Sequence, residues 1–457
     1  MLNARKKLAT LAVASALSGG ALMMSAPAQA VNVSQTNTGE VLLFPYYTVK
    51  NGYDTIFSVV NTTNVTSLMK IRFREALNSR EVRDFNVIMS PYDVWNGVIT
   101  KAADGGALVR TWDHTCTSPI LPASATATGA TEIGFSSALL NETGVDNTTA
   151  REQEGYIEVL LMGISTLDTN TAANVVEYNA KHVAGTPRNC ATVDAQFAPL
   201  SAAVLGFLPP TNVLKGHVTY INVANGQSMD AEPTALESFR NGSNMVSAPG
   251  DLLPNLNSGD DFTARTLVDG AVITNTFTNS INAVTATLSA DAVVNEYASG
   301  TGAATSWIVT EPTKYFYVDA AVISPPFKEI FPTAGKSCDT ATFTYYNREE
   351  AGQAASGTEF SPHQPGASFP LCYEVNVVDY NGSTIFGAGS NHMTFTTAAV
   401  GTSGWVNLGL ANTGNVGGVT TVTGLPAIGF AAIMRDTGSA ATNYGSNTAH
   451  SFRSGNH

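Results

Sequence analysis

The sequence predicts a mainly β protein made of antiparallel, immunoglobulin-like β-sandwich domains, two in number, with a few short helices and long polar loops. Two observations lead to this class. Residues 67–75 alternate between apolar and basic side chains, and residues 82–89 form the returning strand after a short turn. Only 13% of all residues are charged, while β-branched and small polar residues are abundant, which suits a β protein with a neutral-polar surface.

The first strands are predicted within residues 39–62. Two apolar runs are separated there by Lys-Asn-Gly at residues 50–52, and the second run ends at Asn61. Because Asn and Gly tolerate the positive φ of a tight connection, this pattern predicts two strands joined as a hairpin. The same layout of a strand followed by an Asn turn returns near Asn225 and Asn412.

The N-terminal thirty residues predict a cleaved secretory signal peptide. Residues 5–7 are basic, residues 8–24 are apolar or small, and residues 28–30 form an A-x-A cleavage site that leaves Val31 as the mature N-terminus. We therefore expect export to the periplasm, the outer-membrane surface or the extracellular space. No later run of about 18 apolar residues occurs, so we expect no transmembrane helix after signal cleavage.

The charge balance argues against nucleic-acid binding. Removal of the signal peptide takes away three positive charges from the 23 Lys and Arg, which leaves 20 against 36 Asp and Glu and a net charge of −16. Binding to nucleic acid depends on clustered Lys and Arg that neutralise phosphates. We expect no nucleic-acid partner.

The length of the mature chain favours two domains. Removing 30 of 457 residues leaves 427, which exceeds the size at which single cores stop growing. We assign residues 31–230 to a first β-sandwich-like domain, residues 231–304 to a connector of loops and helices, and residues 305–457 to a second β-rich domain with a flexible tail. Within the connector, residues 234–240 and 289–298 are predicted as short helices.

The four cysteines predict two disulfides. An even number in an exported chain is typical of an oxidising compartment, and no close C-x-x-C pair suggests a metal site. Three connectivities are possible. Cys116 with Cys190 and Cys338 with Cys372 is favoured, because each pair then stays within one half of the chain.

Five basic residues form the candidate ligand-binding site. Lys70, Arg72, Arg74, Arg80 and Arg83 hold five of the twenty positive charges of the mature chain within fourteen residues. One interpretation is a patch for an anionic ligand, such as lipid A phosphates or an acidic polysaccharide. The other is a solvent-facing ladder of ion pairs with the acidic residues of the same hairpin.

Aromatic residues suggest a second kind of ligand, a sugar ring. The candidates for stacking are Tyr46, Tyr47, Tyr53, Trp95, Trp112, Trp307, Tyr315, Tyr317, Tyr345 and Tyr346. Most lie inside predicted strands, where an aromatic side chain belongs to the core more often than to a binding surface.

Motifs of catalysis and metal binding are missing from the sequence. No nucleophile elbow, H-E-x-x-H motif or glycine-rich phosphate loop occurs, and no cofactor is expected. Asp251, Asp260 and Asp261 could supply oxygen ligands to calcium, but no EF-hand spacing is present, and a solvated polar loop is the preferred interpretation. A carboxylate pair for glycoside hydrolysis leaves no linear motif, so this chemistry stays open.

Four segments resemble a group of uncharacterised exported proteins of Gram-negative bacteria. They are V-L-L-F-P-Y-Y-T-V, F-R-E-A-L-N-S-R-E-V-R-D-F-N-V, W-I-V-T-E-P-T-K and L-P-A-I-G-F-A-A. The resemblance implies an envelope or extracellular location and no known activity. The leading hypothesis is a non-enzymatic structural or adhesion-type protein of the cell surface, with other envelope proteins or surface glycans as partners. The alternatives are a glycan-binding protein or glycosidase and an outer-membrane-associated β protein.

Overall fold

A computed structural model describes most of the chain. The described residues are 29–166, 169–354, 360–361, 369–397, 401–410 and 415–454. Residues 1–28 of the predicted signal peptide and Asn412 lie outside them. The mainly β class with antiparallel sheets is confirmed, whereas the immunoglobulin-like topology stays a prediction. No helix in the described ranges has the length and apolar character needed to cross a membrane.

The described residues form 32 strands and six α-helices. The strands before the central helix are β1 (Asn32–Val33), β2 (Thr38–Gly39), β3 (Val41–Thr48), β4 (Asp54–Asn61), β5 (Ser67–Glu75), β6 (Glu81–Met89), β7 (Val94–Lys101), β8 (Ala107–Thr111), β9 (Cys116–Ser118), β10 (Thr131–Gly134), β11 (Glu154–Ile164), β12 (His182–Val183), β13 (Thr186–Pro187), β14 (Leu214–Asn222), β15 (Gln227–Ala231), β16 (Thr234–Glu237), β17 (Thr263–Val268) and β18 (Ala271–Thr276). The later strands are β19 (Ser289–Ala290), β20 (Ala292–Ala298), β21 (Ala303–Thr310), β22 (Asp339–Asn347), β23 (Gly352–Ala354), β24 (Phe360–Ser361), β25 (Phe369–Leu371), β26 (Val375–Tyr380), β27 (His392–Phe395), β28 (Ser403–Gly409), β29 (Leu425–Pro426), β30 (Ile428–Arg435), β31 (Tyr444–Ala449) and β32 (Ser451–Arg453). The α-helices are α1 (Val175–Ala180), α2 (Cys190–Asp194), α3 (Ala202–Leu205), α4 (Ser280–Leu288), α5 (Tyr315–Val318) and α6 (Phe331–Ala334).

The first half of the chain forms two facing sheets. One has the strand order β1-β16-β3-β11-β5-β6-β9, and the other has the order β10-β8-β7-β4-β14-β15, with β2 also paired to β14. Aromatic rings fill the space between them. Phe57 lies 5.3 Å from Trp95 and 5.8 Å from Phe73, measured between ring centroids. Phe57 comes from one sheet and Phe73 from the other, so these rings join the two layers.

Residues 39–62 form the two predicted strands, but the prediction that these strands pair as a hairpin is wrong. β3 pairs with β11 and β16, while β4 pairs with β7 and β14, so the connection crosses from one sheet to the other. The predicted positive φ is present, at 52° for Asn51 and 79° for Gly52. The physical reason is burial: every residue of β3 is buried, whereas alternate residues of β4 are only half-buried, and two such strands suit different sheets.

The second half of the chain forms another pair of sheets, with strand orders β23-β22-β28-β20-β32 and β24-β27-β26-β21-β30-β31. Two helices predicted for the connector are strands instead, with β16 in the first sandwich and β20 in the second. Residues 234–237 form strand β16, and residues 289–298 contain strands β19 and β20. In β20 the side chains of Val293, Asn295 and Tyr297 are buried alternately, and this period of two outweighs helix-start signals.

The two halves share their apolar cores. Val41 and Leu43 of β3 belong to the same buried cluster as Trp307 of the second half. Conversely, Phe386 and Phe430 belong to the cluster that fills the first sandwich. The hydroxyl of Thr310 in β21 also donates to the carbonyl of Pro45 in β3 at 2.6 Å. The two sandwiches are therefore packed as one body through β3.

Both favoured disulfides are confirmed. Cys116 of β9 is joined to Cys190 of α2, which attaches the short helices α1 to α3 to the edge of the first sandwich. Cys338, which precedes β22, is joined to Cys372, which follows β25. Each bond therefore stays within one half of the chain, as the spacing suggested.

We expect the double substitution Cys116→Ala with Cys190→Ala to lower the free energy of unfolding by roughly 4 kcal/mol, because it opens a loop of 74 residues. Urea unfolding followed by tryptophan fluorescence measures this. A thiol assay under denaturing conditions should find no free thiol, which shows that the Cys338–Cys372 bond is intact. An unchanged free energy of unfolding would contradict the expectation.

Candidate functional site

The five predicted ligand-binding residues lie on β5, β6 and the turn between them. Their alternation is as predicted, since Met69, Ile71 and Phe73 belong to the buried core of the first sandwich. The opposite face of β5 carries the basic side chains. That face is covered by the loop of residues 245–256 and by the second half of the chain, so it does not meet solvent.

Lys70 is fully buried and has a complete set of acceptors. Its Nζ donates to the carbonyl oxygens of Ala248, Asp251 and Leu253 at 2.9, 2.8 and 2.9 Å. It also lies 3.1 Å from a carboxylate oxygen of Asp84. Burial lowers the pKa of Lys70, and Asp84 opposes this change. Lys70 therefore holds the connecting loop on the sheet.

Arg72 and Arg74 share one buried carboxylate, that of Glu158 on β11. Its Oε2 lies 3.2 Å from Nε of Arg74 and 3.7 Å from Nη1 of Arg72. Arg72 also pairs with Glu81 at 2.5 Å, and Arg74 donates to the hydroxyl of Tyr315 at 3.1 Å. We call the set of Lys70, Arg72, Arg74, Glu81, Asp84 and Glu158 the charged ladder. The pairs of Lys70 with Asp84 and of Arg72 with Glu81 lie within the hairpin as predicted. The pairs with Glu158 of β11 were not predicted, and the prediction that the ladder faces solvent is wrong.

Arg80 and Arg83 are the partly exposed members of the five. Arg80 pairs with Glu142 at 2.8 Å and with Asp319 of the second half at 3.1 Å. Burial lowers the pKa of Arg83, and the nearby acids Asp84 and Glu152 oppose this effect. A role of the five residues in ligand binding stays a prediction, and only Arg80 and Arg83 have surface through which they could meet a ligand.

A second buried cluster joins the two halves at the start of β11. His392 Nε2 lies 3.0 Å from Oε2 of Glu154, and His392 Nδ1 lies 3.2 Å from Oδ2 of Asp379. Lys50 pairs with the other oxygen of Glu154, and Ser306 donates to Asp379 at 2.5 Å. We call these five residues the interface cluster. Sequence reasoning missed it, because Glu154 and His392 are 238 positions apart and share no motif.

Opposite charges within the interface cluster shift the pKa values of its members. Burial alone would raise the pKa of Glu154, but His392 and Lys50 lower it to about 2. Burial would lower the pKa of His392, but Glu154 and Asp379 raise it to about 9. Burial raises the pKa of Asp379, and its contacts with His392 and Ser306 limit the change. At neutral pH an imidazolium therefore lies between two acidic side chains.

The interface cluster has the residue types of a Ser–His–Asp triad but not its arrangement. Ser306 donates to Asp379, whereas a triad serine is hydrogen-bonded to the histidine that removes its proton. Both nitrogens of His392 face acidic side chains, so neither is directed at a nucleophile. The interface cluster is therefore a polar contact between the two halves.

A third buried cluster surrounds Lys314. Its Nζ donates to Glu311 at 2.7 Å and lies 3.4 Å from Asp339. Burial raises the pKa of Glu311 to about 7 and raises that of Glu374 well above its usual value. Both carboxyl oxygens of Glu374 are buried without a hydrogen-bond partner among the described residues. These acids hold protons more readily than exposed carboxylates.

No group of His, Cys, Asp and Glu in the described ranges is arranged to hold a metal ion. The three acids considered for calcium bind backbone amides instead. Asp251 accepts from Ala248 N at 3.1 Å, Asp260 from Asn241 N at 2.7 Å, and Asp261 from Thr263 N at 2.9 Å. These hydrogen bonds stabilise the turns of the polar loop.

Most of the predicted stacking aromatics are buried. Those with little or no exposed surface are Tyr46, Tyr47, Tyr53, Trp95, Trp307, Tyr317 and Tyr345. Trp112 is exposed, and Tyr315 and Tyr346 are half-buried. Trp405 on β28, which was not among the candidates, is 39% exposed and stacks on Tyr346. Its exposure could have been found from Val406 and Leu408, whose burial directs Trp405 to the opposite face.

A crevice of about 860 Å³ lies beside β1, the β17–β18 hairpin and β32. Leu267, Val272 and Phe452 are exposed apolar residues of its lining. Arg265, Arg453 and Asp269 line it with charges of both signs.

We expect Arg74→Ala to lower the free energy of unfolding by roughly 3–5 kcal/mol, because it leaves the buried Glu158 poorly paired. Arg110→Ala is the matched control. Arg110 pairs with Glu132 at a partly exposed site, where the expected loss is at most about 1 kcal/mol. Urea unfolding of both variants tests this, and equal losses would contradict the structural role of the charged ladder.

His392 should make stability depend on pH. Its pKa rises from 6.5 to about 9 on folding, so its contribution is complete below pH 6.5 and is lost as pH rises through about 9. The shift corresponds to about 3 kcal/mol. Glu154 stays ionised throughout, since its pKa is about 2. We expect urea unfolding at several pH values to show this loss in the wild type.

His392→Gln is the control for this pH dependence. The difference in free energy of unfolding between the wild type and this variant isolates His392, because the buried Glu311 and Glu374 titrate in both proteins. The difference should shrink between pH 6.5 and pH 9. A difference that stays constant over that range would show that His392 is not held as an imidazolium.

No known protein family, curated protein or solved structure matches this chain.

Proposed function

We propose that this chain is an exported, non-enzymatic protein of the cell envelope or cell surface with a structural or adhesive role. The observation that carries the proposal is the way the two sandwiches are joined. They share apolar clusters, and the interface cluster and the charged ladder place ion pairs where they contact each other or the connector. An apolar junction of this kind favours one body over two halves that move relative to each other, which suits a structural or adhesive role.

The disulfides support the location. Two bonds, Cys116–Cys190 and Cys338–Cys372, are formed, and structural disulfides persist in oxidising compartments such as the periplasm and the cell exterior. The predicted signal peptide is consistent with the same route. Together they favour export over retention in a reducing cytosol.

The outer sheet faces support an adhesive or structural role. On the outer face of β20, β28 and β22, cross-strand rows carry Thr342, Thr344 and Asn407 with few charges. Such neutral-polar faces can form many hydrogen bonds with a partner while avoiding the long-range repulsion of like charges.

Expression of the full chain in a Gram-negative host tests the location and the lack of catalysis. We expect fractionation to find the protein outside the cytoplasm, with Val31 as its first residue and no free thiol. Deletion of residues 1–30 should keep it in the cytoplasm. Cytoplasmic location of the full chain, or robust cleavage of polysaccharides by the purified mature protein, would overturn the proposal.

Deletion of the gene in its natural host tests the role. We expect loss of attachment to surfaces or greater sensitivity to detergent, because an adhesive or structural envelope protein supports one of these properties. A deletion strain that matches its parent in both assays would contradict the proposed role, whatever the location of the protein.

A further inference from the structure

One row on the outer face of the second sandwich has the chemistry of a sugar-binding surface. Antiparallel register aligns Glu296 of β20, Trp405 of β28 and Tyr346 of β22. These side chains alternate with the buried Val406 and Tyr345, so the row faces outward. Glu296 and Trp405 are exposed, and Tyr346 is half-buried.

The two rings of this row are stacked. Their centroids are 4.6 Å apart and their planes differ by 18°. Gly352 of β23 faces Tyr346 in the register, and a Cβ placed on Gly352 would lie only 2.3 Å from Cε1 of that ring. Tyr346 therefore has the Gly352 backbone on one side and Trp405 on the other. The side of the stack that is left for a ligand is that of Trp405, which is 39% exposed.

Polar groups border the exposed indole. Glu296 is its direct cross-strand neighbour, and Ser403 accepts from Nε of Arg348 at 3.3 Å on the same outer face. The next row along the strands contains Thr344 and Asn407. Hydroxyl, amide and carboxylate groups beside a flat apolar ring match a ligand that has an apolar face and a rim of hydroxyl groups.

We propose that the exposed face of Trp405 binds pyranose rings of neutral glycans, with Tyr346 supporting the indole and Glu296 accepting hydrogen bonds from sugar hydroxyls. This inference rests on the proposed adhesive role and names its ligand. Charge selects against acidic polysaccharides, because the mature chain has a net charge of −16 and Glu296 is the direct cross-strand neighbour of Trp405, whereas Arg348 on the same face is hydrogen-bonded to Ser403. A bare organic cation would use the ring and Glu296 but none of the surrounding hydroxyl and amide groups.

Tryptophan fluorescence of the mature, disulfide-bonded protein provides a direct test. Of the four tryptophans, Trp95 and Trp307 are buried, whereas Trp112 and Trp405 are exposed. In a Trp112→Phe background, quenching by acrylamide therefore reports on Trp405. We expect laminarin, dextran or mannan to protect it from quenching, and alginate and tetramethylammonium to give no protection.

Affinity electrophoresis in gels that contain the protecting polysaccharide measures the energetic role of the ring. Trp405→Ala should weaken retardation by about tenfold, as expected for loss of one aromatic contact. Trp405→Tyr should retain most of the binding, and Trp112→Ala should bind like the wild type. Because Trp405 lies on the outer face, we expect Trp405→Ala to fold, and a urea unfolding curve checks this.

Failure of the glycan site and failure of the envelope role would give different results. No protection by any of the three neutral polysaccharides, or equal retardation of Trp405→Ala and the wild type, overturns the glycan site. Protection by alginate or tetramethylammonium but by no neutral glycan overturns the ligand class. None of these results bears on the location or the envelope role, which fractionation and gene deletion test with no reference to sugar binding.

Discussion

The carboxylate of Glu158 is the constraint on which the rest of the structure depends. It is completely buried between Arg72 and Arg74, and an unpaired charge at such a site costs several kcal/mol. The ladder can be buried only if the connecting loop supplies carbonyls to Lys70 and the second half supplies Tyr315. A buried ion pair adds little net stability, but a wrong docking would leave charges unpaired. The ladder therefore specifies how the connector and second half lie on the first sandwich.

The interface cluster constrains the docking of the two halves in the same way. Glu154 belongs to the first half, and His392 and Asp379 belong to the second, so the ion pair of Glu154 with His392 forms only when the two halves are docked. Apolar packing through β3 provides the driving force, because it is non-directional and scales with buried area. The ion pairs determine the orientation in which the two halves dock. Stability and specificity of the junction thus come from different residues.

Local patterns were enough to predict the β class and the β5–β6 hairpin, because alternation is a local property of the chain. The placement of two cysteines in each half was enough to favour both disulfides. Which residues cover a strand depends on parts of the chain that are distant in sequence. Nothing near Arg72 shows that the Pro254 carbonyl will contact it, and the burial of both faces of β3 depends on Trp307. The interface cluster is hidden for the same reason. Trp405 is different, because alternation with Val406 predicts its outward direction.

The contact between Thr310 and Pro45 spans 265 positions, and it sets an order of events for a chain that folds as it emerges from its N-terminus. The β5–β6 and β7–β8 hairpins can form early because their pairs are local, and the first sandwich can close once β16, its last strand in chain order, has emerged. The outer face of β3 must then wait, with Val41 and Leu43 uncovered, until the distant strand β21 arrives. During this interval the half-formed molecule carries a bare apolar strand next to unpaired charges. Its vulnerability to aggregation is therefore greatest midway through emergence rather than at the end.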